Sequence, residues 1–324
     1  MLNRSVTLIG LLQAAAIVTI LFSVVTSFDF LHRYIELYSH FRPQYFAASL
    51  LLLIVFTVLR SPRYAMLLLV TTIFNASYVL PWYFGATAIE SDDTIKLLHA
   101  NVYAGNDQYE RLFKLIETEQ PDVIFLQEVT QKWRDATLRL RGDYPHSYIE
   151  AREGSFGIAM YSRVALDTIT HVDSPPLGYP TIVATMTVNN EALTLINTHP
   201  TIPMSRLQYE ARNEQLRSIA DLANRAPGAV VLTGDLNASV WGRSYRRLEA
   251  STGLRNTRHG FGILPTWPTF LPFAMIPIDH ALVSDRIGVV DTRTGARIGS
   301  DHLPLIVEIA VGNEAAGPAS FGPE

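Results

Sequence analysis

The apolar positions of this chain fall into two regimes. Up to about residue 90 they form long uninterrupted runs. There are 24 uncharged residues between Arg4 and Asp29, a second uncharged run between Arg42 and Arg60, and a third between Arg63 and Glu90. A helix needs about 20 apolar residues to cross the hydrocarbon core of a bilayer. The pattern therefore predicts about three transmembrane helices, at 5–28, 44–59 and 64–84, the middle one short. Taken alone, the first run also fits a cleaved signal peptide, but its apolar part is long and two more runs follow. Tyr34, Tyr38 and Tyr45 fall near one predicted interface, and Trp82 and Tyr83 near the end of the third span. Aromatic rings of this kind suit the headgroup layer.

From Thr94 the apolar runs shorten and alternate with helical spacing. Strands are expected at Ile95–Asn101, Val123–Leu126, Gly157–Tyr161, Ile182–Val188, Leu193–Asn197, Ala229–Thr233, Ile278–Val283 and Leu305–Ile309. Tyr109, Leu112, Phe113 and Ile116 recur at helical spacing, and a long helix is expected from about Ser205 to Ala226. Strands interleaved with helices predict a mixed α/β core. No internal repeat is visible. A small, acidic linker covers 85–93, and the Gly-, Ala- and Pro-rich tail 311–324 is expected to be disordered. The chain thus divides into a membrane region, 1–90, and a soluble α/β domain, 94–310.

Composition sharpens this picture. Hydrophobic residues make up 48% of the 324 positions, and their excess lies in the first 90. The absence of cysteine excludes disulfides, thiolate metal sites and a cysteine nucleophile. Of 26 basic and 30 acidic residues, five of each precede Thr94, so the remainder carries 21 against 25. A domain that grips a nucleic-acid backbone is more often basic. Nucleic acid is therefore the less favoured partner, and no protein partner is expected.

Polar residues collect at the predicted strand ends, where layered α/β proteins build their sites. The segment Val231–Asn237 is a strand ending in Gly-Asp-Leu-Asn. It would present the Asp235 carboxylate and the Asn237 amide together, although Asp-x-Asn also suits a simple turn. Phe125–Val129 ends in Gln127-Glu128, and a carboxylate there needs a partner: a hard cation such as Mg²⁺, or an ordinary salt bridge. Two Asp-His pairs, Asp279-His280 and Asp301-His302, flank other strands and suit acid–base chemistry. His199 closes a further strand, where a plain surface histidine is the alternative.

Read in order, HANVY, LQEV, NTHP, GDLN, IDHALVS and GSDHLP resemble the motif series of the endonuclease/exonuclease/phosphatase (DNase I-like) superfamily, from about Thr94 to Ile309. The resemblance implies an α/β fold, a four-layer, two-sheet sandwich, here preceded by about three transmembrane helices. It implies a hydrolase acting on phosphoric ester or anhydride bonds with Mg²⁺ or Mn²⁺. Carried over, Glu128 is the principal metal ligand, helped by Asn101 and Asp301. Asp235 activates the attacking water, Asn237 holds the scissile phosphate, and His302, oriented by Asp279, contacts it. His199 matches a second phosphate-facing histidine. Trp267 resembles an aromatic lining the cleft, and His280 sits where many members have Tyr or His.

The layout also resembles that of the teicoplanin-resistance-associated membrane phosphatases, which implies a lipid-linked phosphate such as polyprenyl pyrophosphate. Arg206 and Arg212 would meet additional phosphates; solvated helix charges are the plainer reading. A membrane-tethered nuclease and an inactive scaffold are the alternatives. The arginine bias of the short loops places the N-terminus in the cytoplasm and the catalytic domain outside.

Overall fold

The computed structural model describes residues 7–85 and 93–312. Of the expected linker, 86–92 lie outside the described residues, as do 313–324 of the expected tail; Val311, placed in the tail, instead ends the last strand.

Twelve strands form two mixed sheets. The first has the order β11 (Ile287–Thr294), β12 (Leu305–Val311), β1 (Ile95–Asn101), β2 (Val123–Gln127), β4 (Ile158–Ser162), β3 (His146–Glu150). The second runs β5 (Thr168–Ser174), β6 (Tyr179–Val188), β7 (Glu191–Thr198), β8 (Ala229–Asp235), β10 (Asp279–Val283), β9 (Arg255–Asn256). Helices α5 (Tyr109–Glu119) and α6 (Gln131–Thr137) cover the outer face of the first sheet. Helices α7 (Arg206–Arg225) and α8 (Arg243–Thr252) cover that of the second.

The continuous apolar character of the central strands follows from this layering. Successive side chains on a strand point to opposite faces. Val123 and Phe125 of β2 enter the core between the sheets, while Ile124 and Leu126 meet the outer helices. Leu195 and Ile196 divide in the same way, as do Val231 and Leu232. Both faces are buried, so no polar alternation survives. Complete burial of a side chain such as Phe125 contributes roughly 1.5–3 kcal/mol.

The eight expected strands are present with small shifts of their ends. Those without an apolar signature are edge or polar strands. In β5 (TITHVDS) exposed and half-buried positions alternate from 168 to 172, but the half-buried ones are Ile169 and His171, so no apolar period results. All five residues of β3 are half-buried.

The N-terminal region is α1 (Leu8–Val25), α2 (Arg33–Ser39), α3 (Arg42–Val58) and α4 (Pro62–Val79). Two stretches, Leu8–Phe28 and Pro62–Tyr83, are long and apolar enough to cross a membrane. The expected middle span becomes α3, of 17 residues, which qualifies only when joined to α2 across a 63° bend. The connection left between the first two expected spans is thus itself partly helical. Ala16, Leu52, Phe56 and Leu68 pack between α1, α3 and α4, while Ile17, Leu51, Met66 and Ile73 face outward. Arg42 is not a loop charge: it is buried in the bundle and donates to the Ser23 carbonyl oxygen at 2.8 Å.

This bundle is seated on the α/β domain. Val79 and Trp82 enter the core beneath α7 and α8, and Trp82 stacks on His259 at 4.2 Å. The Trp241 indole donates to the Tyr78 carbonyl oxygen at 2.9 Å, and Arg246 pairs with Asp29 at 2.8 Å.

Candidate active site

Register brings the polar strand ends together. Asn101 lies beside Gln127 in the β1–β2 pair, and Asp235 lies opposite Asp279 in the β8–β10 pair. The two sheets are joined at this end by buried amides. Gln127 accepts from the Asp235 backbone N–H at 2.8 Å and donates to the Thr198 carbonyl oxygen. Asn197 donates to the Ala159 carbonyl oxygen at 3.1 Å. Gly234 is required here, because a Cβ would run into the Thr198 carbonyl.

Two chemistry-bearing residues follow their strands in the left-handed region: Glu128 at φ 61° and Asn237 at φ 49°. Asparagine tolerates this conformation; for glutamate it is uncommon. Strain of this kind concentrates at functional sites, and here it turns both side chains into the cleft between the sheets.

Asp235 is the hub. Its Oδ2 lies 3.3 Å from Asn101 Nδ2, 3.5 Å from His199 Nε2 and 3.7 Å from His302 Nε2. Its Oδ1 accepts from the Asn237 N–H at 2.9 Å. Asn101 also donates to Glu128 Oε1 at 3.2 Å, and the other Glu128 oxygen accepts from the Ala104 N–H at 2.9 Å. Asp279 is fully buried between two histidines, His302 Nδ1 at 2.8 Å and His99 Nε2 at 3.0 Å. Burial opposes charge on Asp279, but His302 outweighs it and holds the carboxyl well below its usual range. Burial likewise opposes charge on His302, yet Asp279 raises it to about 10. His199 is raised too, because the neighbouring Asp235 carboxylate overcomes its burial.

The cleft has a volume of about 450 Å³ and is lined by Glu128, Asp235, Asn237, Asp301, His199 and His302. Trp267 forms part of its wall and donates to Asp301 Oδ2 at 3.0 Å. Among the described residues no lysine or arginine lines it. A phosphate entering so acidic a pocket needs an added cation, and the donors are carboxylate, amide and imidazole, which suit a hard divalent ion. Ligand atoms of Asp235, Asp279 and His302 lie within 4.8 Å of one another, a group able to hold a metal. Asp279 is already engaged by both histidines, whereas Glu128 and Asp301 face the open cleft.

Arg206, Arg212 and His280, considered for substrate contact, do not line the cleft. Arg206 is exposed on α7 and pairs with Glu210 at 2.8 Å. Arg212 is fully buried and turned to Glu36 and to the Asn237 carbonyl oxygen. His280 lies beneath the site, bonded to the Ala238 carbonyl oxygen at 2.7 Å. Helical periodicity put the two arginines on α7, and the Asp-His motif put His280 at its strand, but neither signal says which way a side chain turns. His99 and Gln127 were within quoted motifs without a role. Leu37, His40 and Phe41 also line the cleft, although they belong to the N-terminal region. No local signal in the sequence predicts that packing.

Two mixed sheets whose strand ends converge on buried carboxylates, amides and histidines define a class of hydrolases that act on phosphodiester bonds. The chain belongs to the endonuclease/exonuclease/phosphatase family, whose model matches residues 98–302, more than half of its length. That family is metal-dependent. Solved structures agree on the fold. A humanised D. rerio TDP2 is 17% identical with a TM-score of 0.57, over 67% of this chain and 99% of that one. An endonuclease/exonuclease/phosphatase from Beutenbergia cavernae is 21% identical with a TM-score of 0.56, over 68% and 72%. The human Nocturnin catalytic domain, with a bound sulfate anion, is 15% identical with a TM-score of 0.52, over 68% and 96%. No curated protein matches the chain significantly.

Proposed function

We propose that this protein is a membrane-tethered, Mg²⁺-dependent phosphoesterase that hydrolyses a lipid-linked phosphate, such as a polyprenyl pyrophosphate. The observation that carries this reading is the make-up of the cleft. One wall is α2 and the residues after it, between stretches apolar enough to cross a membrane. Leu37 and Phe41 there, with Ile202, Pro203, Met204 and Ile276, give an apolar passage beside the polar floor. A soluble diester has no use for such a wall; a phosphate with a hydrocarbon chain has. Exposed Met204, Leu207, Phe270 and Phe273 extend the apolar surface around the domain, and large exposed apolar patches mark interaction or membrane surfaces.

In this reading Glu128, Asn101 and Asp301 hold the cation, which neutralises phosphoryl charge when bound. Asp235 orients the water and takes its proton. Asn237 and His199 donate to the phosphoryl oxygens. Protonated His302, fixed by Asp279, with His99 on its other oxygen, stabilises the charge that develops. No covalent intermediate is required.

Purified full-length protein in detergent with Mg²⁺ should release phosphate from polyprenyl pyrophosphate, or headgroup from sphingomyelin, faster than it degrades plasmid DNA. Rapid DNA degradation with no release from either lipid overturns the lipid reading in favour of a nuclease. No hydrolysis of any of the three supports a scaffold instead.

The catalytic domain is further proposed to lie outside the cytoplasm. Arg60 and Arg63 lie at the turn from α3 into α4, the end of the bundle from which α1 starts, while Arg42 is withdrawn into the bundle, leaving Arg33 at the opposite end. Short-loop Lys/Arg residues favour the cytoplasmic face. Alkaline phosphatase fused to the C-terminus should be active and a green fluorescent protein fusion dark; the reverse pattern puts the domain in the cytoplasm.

A further inference from the structure

The catalytic loop Leu236–Gly242 follows the hub aspartate and carries Asn237. Part of its polar framework is held by the N-terminal region, directly through Ser39, His40 and Tyr78 and indirectly through Arg212 of α7, while Ile278, His280 and Arg246 hold the rest. Arg212 Nη1 donates to the Asn237 carbonyl oxygen at 2.8 Å, and its Nη2 pairs with Glu36 of α2 at 3.1 Å. His40 Nδ1 accepts from the Ser239 N–H at 3.2 Å and lies 2.7 Å from the Ser239 hydroxyl. The Trp241 ring is fixed by the Tyr78 carbonyl, and its own carbonyl accepts from Ser39 Oγ at 3.5 Å.

Glu36 is the centre of this arrangement. It is 1% exposed, and both of its oxygens are used. They accept from Arg212, from Tyr209 Oη at 2.5 Å, from the Ser244 N–H at 3.1 Å and from the Ser244 hydroxyl. So complete a shell for a buried acid fixes the guanidinium in one position. That position is the one from which Arg212 reaches Asn237.

We infer that Glu36 is a positioning residue for catalysis: through Arg212 it holds the Asn237 backbone, so the N-terminal region is part of the catalytic apparatus and not only an anchor. Asn237 stands in the left-handed region, and its carbonyl oxygen is held there by Arg212. Loss of the support lets the loop relax, and a misplacement of about 1 Å can cost on the order of 100-fold in rate. The inference goes beyond the lipid reading, since it concerns the loop whatever phosphoester is bound.

The test uses full-length protein in detergent and a soluble chromogenic diester, bis(p-nitrophenyl) phosphate. Glu36→Gln keeps the shape but removes the charge that fixes Arg212. A kcat lower by roughly 10–100-fold is expected, with KM and the Mg²⁺ midpoint little changed. Amide hydrogen exchange should accelerate in 236–242 and not across β1, β2 and β8. The double variant Glu36→Gln/Arg212→Met removes the lone buried charge. It should recover Tm while kcat stays low. His259→Ala, at the same interface but stacked on Trp82, should leave kcat unchanged. Recovery of kcat together with Tm in the double variant, or unchanged exchange in 236–242 for Glu36→Gln, overturns the inference. The exchange measurement decides the matter even if the diester proves a poor substrate.

Discussion

Replacing Asp235 by asparagine is expected to lower kcat by roughly 10³–10⁴-fold, the upper part of the range for a lost general base. The substitution is nearly isosteric. Asparagine keeps an oxygen for the Asn237 N–H, so the loop geometry survives. It cannot take a proton from water. It also removes the anion 3.5 Å from His199 and 3.7 Å from His302, so both imidazoles lose part of what keeps them charged. Turnover and histidine charge therefore fall together, which is why the loss should exceed that of a single hydrogen bond. The half-saturating Mg²⁺ concentration, measured in the same assay, should stay near that of the wild type. A variant whose activity returns on adding metal would move Asp235 from base to ligand.

Glu128→Gln should behave in the opposite way. Losses of groups that merely support a metal ligand already cost about 10–100-fold in metal affinity, and loss of the carboxylate itself should cost at least as much. The Mg²⁺ midpoint should rise by that factor, and excess Mg²⁺ or Mn²⁺ should restore much of kcat, because the Asn101 amide and the Ala104 N–H remain to hold the side chain. Treatment of the wild type with EDTA should reduce activity to background. Full activity in chelator ends the metal reading, and identical metal responses in the two variants end the division of roles between them.

The buried strands and the long helix were legible because their period is a direct image of packing. Val123 to Gln127 is apolar on both faces since both faces are covered. The strand ends were legible too: Glu128, His199, Asp235, Asn237, Asp279, Asp301 and His302 converge as their placement at strand ends implied. What was hidden is what depends on distant partners. Periodicity put Arg212 on α7 but not on the face turned to Glu36, which lies 176 positions away in sequence. His99 reads as one more residue in a buried strand until Asp279 is found beside it. The polar strand β5 has no apolar period to announce it. The loop between the first two spans looked like a connector, and its helix α2 proved to be a wall of the cleft.

The buried amides of Gln127 and Asn197 make the two ends of the sandwich unequal. At the catalytic end, side chains stitch one sheet to the other, and a shift of either sheet would break several bonds at once. At the far end, β6 and β7 are joined by a tight turn through Asn189 and Asn190, both with positive φ, and Asn189 donates across to the Val311 carbonyl oxygen. Tips of that kind are where chains accept insertion. The molecule thus has a fixed end and a permissive end. A reporter or affinity module grafted at Asn189–Asn190 would hang from the permissive end, a full strand length from Asp235, with the stitched seam between it and the chemistry.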